Sequence, residues 1–137
     1  MAVVEELIRT ENDGTISFGN YKLATKTKKA DFEHDGDLYK IKTFHEITKL
    51  ERNGLFVYES VPGTAVHHLN ASEGSVTFEV EGPEDAMVTL ELEPENEYKV
   101  TINGNDAGNV KTNLGGKLPI SVELGEGTQV AIQVDHI

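Results

Sequence analysis

Between Tyr98 and Val134, apolar residues fall on every second position in three separate runs. Tyr98, Val100 and Ile102 make the first. Leu118, Ile120, Val122 and Leu124 make the second, and Val130, Ile132 and Val134 the third. A helix repeats every 3.6 residues and cannot gather such a pattern on one face. A strand does so directly, because successive side chains point to opposite faces. The intervening NGNDAG, NLGG and GEG supply residues that tolerate the positive φ angles of tight reversals. These features predict the core of an antiparallel β-domain with one wet and one buried face.

The rest of the chain extends the pattern. Residues 3–8 (VVEELI) fit either a first strand or a short helix. Ile16 and Phe18 before Gly19-Asn20, with Tyr21 and Leu23 after it, predict a hairpin. Asp35-Gly36 predicts a two-residue turn between strands near 28–33 and 38–43. Asn53-Gly54, the strongest short-range type I′ signal, predicts another turn between ITKLE and LFVYES. Pro62-Gly63 closes this half. Beyond it TAVHHLNA reads as a connecting strand, and SVTFEVE and MVTLELE as strands bounded by GPED and PEN. Pro119 lacks a donor, which places its strand at an edge or a bulge. No segment has persuasive helical periodicity. The predicted fold is all-β, an antiparallel sandwich or sandwich-like barrel with Greek-key-like order. It divides into an N-terminal β-hairpin region (1–62) and an acidic sandwich-like region (63–137), with one shared core as an alternative.

The pattern Tyr98-x-Val100-x-Ile102-x-Gly104, then Gly108-x-Val110, then Gly115-Gly116-x-Leu118-x-Ile120-x-Val122 carries a resemblance. It resembles the last strands of the β-sandwich modules that close many bacterial polysaccharide lyases and other glycan-degrading proteins. The resemblance implies a non-catalytic module that packs on a catalytic domain or assists binding. It carries over no catalytic residue, and the first half matches no such pattern.

Charge and composition narrow the classes of function. The 137 residues suit one domain, or two small subdomains sharing a core. Cysteine is absent, so disulfides, thiolate metal sites and cysteine nucleophiles are excluded. The N-terminus lacks the basic and apolar regions of a signal peptide. No apolar stretch approaches the roughly 20 residues of a membrane span. A soluble protein is expected, cytoplasmic or a piece of an extracytoplasmic one. Net charge is −12, with 9 Lys/Arg against 11 Asp/Glu in residues 1–60 and 3 against 13 in residues 61–137. An acidic second half repels phosphate backbones and anionic lipids, so neither nucleic acid nor membrane is an expected partner. Lys22, Lys26, Lys28 and Lys29 form the one basic run. Such a run protects a sheet edge, or meets the acidic half of a neighbouring copy.

Several clusters offer chemistry. Asp31, Glu33 and Asp35 with Gly36 resemble the start of a calcium loop, but the twelfth position is Lys42 rather than Glu. Glu33, Asp35 and Asp37 are nevertheless candidate ligands for one calcium ion at a hairpin tip. Glu91, Glu93, Glu95 and Glu97, spaced by two, read as a ridge of carboxylates facing water. His67 and His68 are candidate transition-metal ligands, with His34 or His45 joining across the fold. On a regular strand, however, adjacent residues point to opposite faces. No serine sits in a GxSxG elbow, and no phosphate-cradling glycine loop is present. There is no Trp for a sugar platform; in LFVYES, Phe56 and Tyr58 are the candidate ligand-binding aromatics, with a glycan as candidate partner. Three classes remain: a non-catalytic binding or assembly module, a metal-binding β-barrel enzyme built on the histidines, and a self-assembling structural protein.

Overall fold

The computed structural model describes residues 3–137, which form thirteen strands and no helix. In chain order they are β1 (Ile8–Thr10), β2 (Ile16–Phe18), β3 (Thr27–His34), β4 (Asp37–Phe44), β5 (Ile47–Arg52), β6 (Leu55–Val61) and β7 (Ala65–Ser72). There follow β8 (Ser75–Glu81), β9 (Ala86–Glu91), β10 (Glu97–Ile102), β11 (Asn105–Lys111), β12 (Lys117–Val122) and β13 (Gln129–His136). Seven strands make one sheet in the order β1-β2-β7-β8-β13-β10-β11, and six make the other in the order β12-β9-β6-β5-β4-β3. Neighbours run antiparallel throughout, and the two sheets share one core. The fold is a β-sandwich.

Alternation in the sequence sorts the side chains between core and solvent. Val76, Phe78 and Val80 of β8, with Val130, Ile132 and Val134 beside them on β13, share the core with Val88 and Leu90 of β9 and Leu118 and Ile120 of β12. Both sequence regions feed this core, since Ile41, Leu50 and Tyr58 belong to it as well. Tyr58 joins the layers: its ring meets Phe18 at 5.3 Å and Phe78 at 5.8 Å, both edge-on. That geometry suits the positive edge and negative face of aromatic rings. Burial holds the Tyr58 phenol well above its ordinary pKa.

The strands switch sheets repeatedly. β6–β7, β8–β9 and β12–β13 together form a three-stranded ribbon folded over one corner, because β6·β9·β12 pair in one sheet and β7·β8·β13 in the other. A buried hydroxyl network ties that corner to β4 and β5. Thr48 Oγ1 donates to the Thr64 carbonyl (2.8 Å) and accepts from the Thr64 N–H (3.1 Å). Its one proton is thereby used, so Thr43 must donate to it (2.8 Å), and Thr43 in turn accepts from the Asn20 N–H. The Thr64 hydroxyl completes the network with Tyr58 and Ser60. Gly19 stands at the same corner with φ +100°, so close to the Thr64 carbonyl that a Cβ would collide with it.

Four turn assignments change. Gly19-Asn20 does not close a hairpin, because after β2 the chain leaves the first sheet and Tyr21–Leu23 forms no strand. The GPED segment (82–85) and the GEG segment (125–127) reverse the chain across the sandwich rather than within a sheet. NGNDAG hides a strand: Asn103-Gly104 is the turn, and β11 begins at Asn105. β11 is an exposed edge with almost no apolar residue, so it had no periodic signal. By contrast, Asp35-Gly36 and Asn53-Gly54 do close hairpins with positive φ at both residues, and Pro119 lies on the edge strand β12.

Candidate functional site

The sandwich is sealed at the folded corner and parts at the opposite end. A cleft of about 690 Å³ opens there between the β5–β6 turn and the β7–β8 turn. Its walls are apolar: Leu55, Phe56 and Val57 on one side, Leu69 and Val76 on the other, with Leu90, Leu92 and Tyr98 behind. Polar groups sit around them, namely Arg52, Glu73, Glu91 and Glu93, with Ser72, Ser75 and His136. That volume and lining match the usual small-molecule site, an apolar concavity with a few polar groups that fix orientation.

Local sequence explains the opening. In β6 the register slips, since Leu50 pairs with Tyr58 but Glu51 pairs with Phe56. Val57 is the extra residue of a bulge, which bends the strand and lets Phe56 and Val57 lie half-buried at the cleft. The 92–96 crossover bounds the far side, where Tyr98 Oη accepts the Glu93 N–H at 3.1 Å and its ring meets His136 at 5.1 Å.

The two candidate aromatics separate. Phe56 borders the cleft, but it pairs in register with Glu51 on the outer side of the six-stranded sheet, where Lys117 Nζ lies 4.2 Å and Lys49 Nζ 5.8 Å from its ring centroid. Lys117 is held there by an ion pair with Glu91. A sugar would have to displace Lys117 to stack on that face. Tyr58 is fully buried and hydrogen-bonded, so it belongs to the core and presents no surface to a ligand.

The histidine pair departs from regular strand geometry. Val66 and Leu69 both enter the core although three residues apart, because β7 bulges between His67 and Asn70. His68 takes φ +57°. The two histidines therefore share the outer side of the seven-stranded sheet instead of opposing each other. His67 is buried, with Nε2 3.5 Å from Glu81 Oε1. His68 Nδ1 lies 3.1 Å from Asp13 Oδ2 and from Thr15 Oγ1. Hydrogen bonds from Thr15 hold the Asp13 carboxyl below the usual range, with the His68 ring adding to them. Beside them the buried Ser17 donates to Glu11 and accepts the His68 N–H at 3.1 Å. The Ser17 hydrogen bond, reinforced by Arg9, depresses the Glu11 carboxyl.

At the β3–β4 tip the acids diverge. Asp35 is exposed beside His34, and Asp37 accepts the Asn53 amide at 2.9 Å. Glu33 pairs in register with Leu38 on the exposed side of its strand. Among the described residues no three His, Asp or Glu side chains converge closely enough to hold a metal ion. The carboxylate ridge also dissolves: Glu91 ends β9, Glu93 and Glu95 lie in the crossover, and Glu97 begins β10. Sequence reading did not find Arg52, Glu73, Leu92 or His136 as neighbours. They come from the ends of β5 and β13, the β7–β8 turn and the 92–96 crossover, and no local signal links them.

Compared with known proteins, the chain matches no family model, no curated protein and no solved structure.

Proposed function

We propose that this protein is a non-catalytic binding module whose ligand lodges in the cleft between its sheets. The observation that carries this reading is the cleft itself, an apolar concavity of about 690 Å³ ringed by polar groups. Its ligand has an apolar body and a polar end. The carboxylates of Glu73, Glu91 and Glu93 outnumber Arg52 at the rim, which favours a neutral or basic end over an acidic one. Among the described residues no serine at the cleft is hydrogen-bonded to a histidine. Ser75 donates to Asp135 at 2.9 Å, and the ring of His136 packs against Tyr98. The resemblance of residues 98–134 to accessory sandwich modules supports the same class, a module serving a glycan-related or surface system. Engagement runs through the cleft and not through an aromatic platform.

A neutral naphthylamine dye, bright only in apolar surroundings, tests this. It should bind saturably to the wild type. Ala71 is exposed and lines the cleft; Ala71→Trp, which places a large ring there, should weaken binding at least tenfold while leaving the unfolding midpoint unchanged. Equal binding by the two proteins, or none by either, rejects the cleft as the site.

A further inference from the structure

Averaged along the chain, charge suggests a polyanionic object; folded, it is sorted by face. On the outer side of the six-stranded sheet, Lys28 of β3 pairs in register with Lys42 of β4, and Lys42 with Lys49 of β5. The row continues to Glu59 of β6. Lys40 shares the face one step along β4, opposite Glu51. Like charges directly opposite on neighbouring strands are unfavourable. Burial and the charges of Lys26, Lys49 and Lys28 all hold the Lys42 ammonium below its usual pKa. Edge protection explains lysines on β3, but Lys42 and Lys49 lie on interior strands. Only Lys49 of these three has an ion pair among the described residues, a long one of 4.0 Å to Glu51. Beside the row Val61 and Met87 pair in register and are about half exposed. The face thus couples a basic row to an apolar strip.

The same molecule carries the complement. At its cleft end Glu73 in the β7–β8 turn and Glu93 and Glu95 in the 92–96 crossover are exposed. Leu55, 67% exposed at the start of β6, supplies an apolar residue there.

We propose that the Lys28–Lys42–Lys49 face receives the acidic cleft end of a second copy of this chain, in a head-to-tail association. A bilayer or nucleic acid presents continuous negative charge and would also repel the many acids elsewhere on the surface. A second copy presents its acids on turns small enough to reach the lysines alone. Two copies of net charge −12 do repel at long range. At physiological ionic strength the Debye length is about 8 Å, so the groups in contact decide. Six strands about 4.8 Å apart give a face of modest width. Interfaces this small are transient rather than obligate. Because the two patches differ, contact of this kind propagates into open chains or rings rather than stopping at a two-fold dimer.

Sedimentation equilibrium of charge-reversed variants tests the arrangement. Wild-type protein at high concentration in 0.15 M salt should exceed the 15.0 kDa of one chain and fall back to it at 1 M salt. Lys28→Glu/Lys42→Glu and Glu73→Lys/Glu93→Lys, each alone, should stay monomeric. Mixed, they should associate in equal proportion, because the acidic end of one meets the lysine face of the other and the reversed pair of patches is complementary as well. Carrying all four changes on one chain should restore association. A wild type monomeric at every salt concentration overturns the proposal. So does association untouched by the reversals, or a lysine face that binds anionic vesicles or polyphosphate instead. Cleft binding by Lys28→Glu/Lys42→Glu reads the ligand proposal separately, because neither residue lines the cleft.

Discussion

Ser17 shows how much a single small side chain supports on the outer face of the seven-stranded sheet. It is buried, donates to Glu11, and accepts the N–H of His68 at the bulge. Ser17→Ala leaves both partners short of a hydrogen bond, and should cost about 1–3 kcal/mol at pH 7. The sign of the pH dependence follows from Glu11. Its folded pKa is depressed, so the stability it lends is present above the unfolded value near 4.5 and is lost as pH falls through the folded value. The deficit of Ser17→Ala should therefore shrink as pH drops below about 4. Urea unfolding of both proteins at pH 7 and pH 3 measures it; a deficit unchanged between them would place the Ser17 effect elsewhere. None of this was visible in the sequence, where Ser17 was one polar position between Ile16 and Phe18. Burial on the outside of a sheet depends on what covers it, and alternation carries no information about that.

Among elements, the strands with apolar alternation were legible and their partners were not. β8, β9, β10, β12 and β13 lie where the every-second-residue pattern put them, because one buried face imposes it. Alternation states which face is buried without stating which sheet the strand joins, so the crossovers at 82–85 and 125–127 read as ordinary turns. Bulges were equally hidden, since one extra residue in β7 turns His67 and His68 to the same side. The folded corner rests on Thr48, whose hydroxyl meets Thr43 and both backbone groups of Thr64. Thr48→Val keeps the shape and removes every one of these contacts. It should destabilise by about 2–4 kcal/mol, since several buried groups lose partners together. Thermal or urea unfolding checks this, and a loss under 1 kcal/mol would mean that the corner is held by apolar packing alone.

For the whole molecule, the sequence announced a sandwich and withheld its opening. The cleft is assembled from the ends of β5, β6, β7, β8, β9, β10 and β13, and only Phe56 among its lining residues was a candidate beforehand. Charge behaved likewise: a count by halves predicted an acidic surface, whereas folding set Lys28, Lys42 and Lys49 side by side across three strands. Both features depend on which strands become neighbours, and so they belong to topology rather than to local pattern. The most direct test of the binding module is an amide NMR titration of the isotope-labelled protein with the neutral naphthylamine dye. Saturable shifts confined to residues 52–57, 71–76 and 90–93, with Tyr98 and His136, are the predicted result. No saturable shift, or shifts centred on the outer face of either sheet, would contradict the cleft as the site of function.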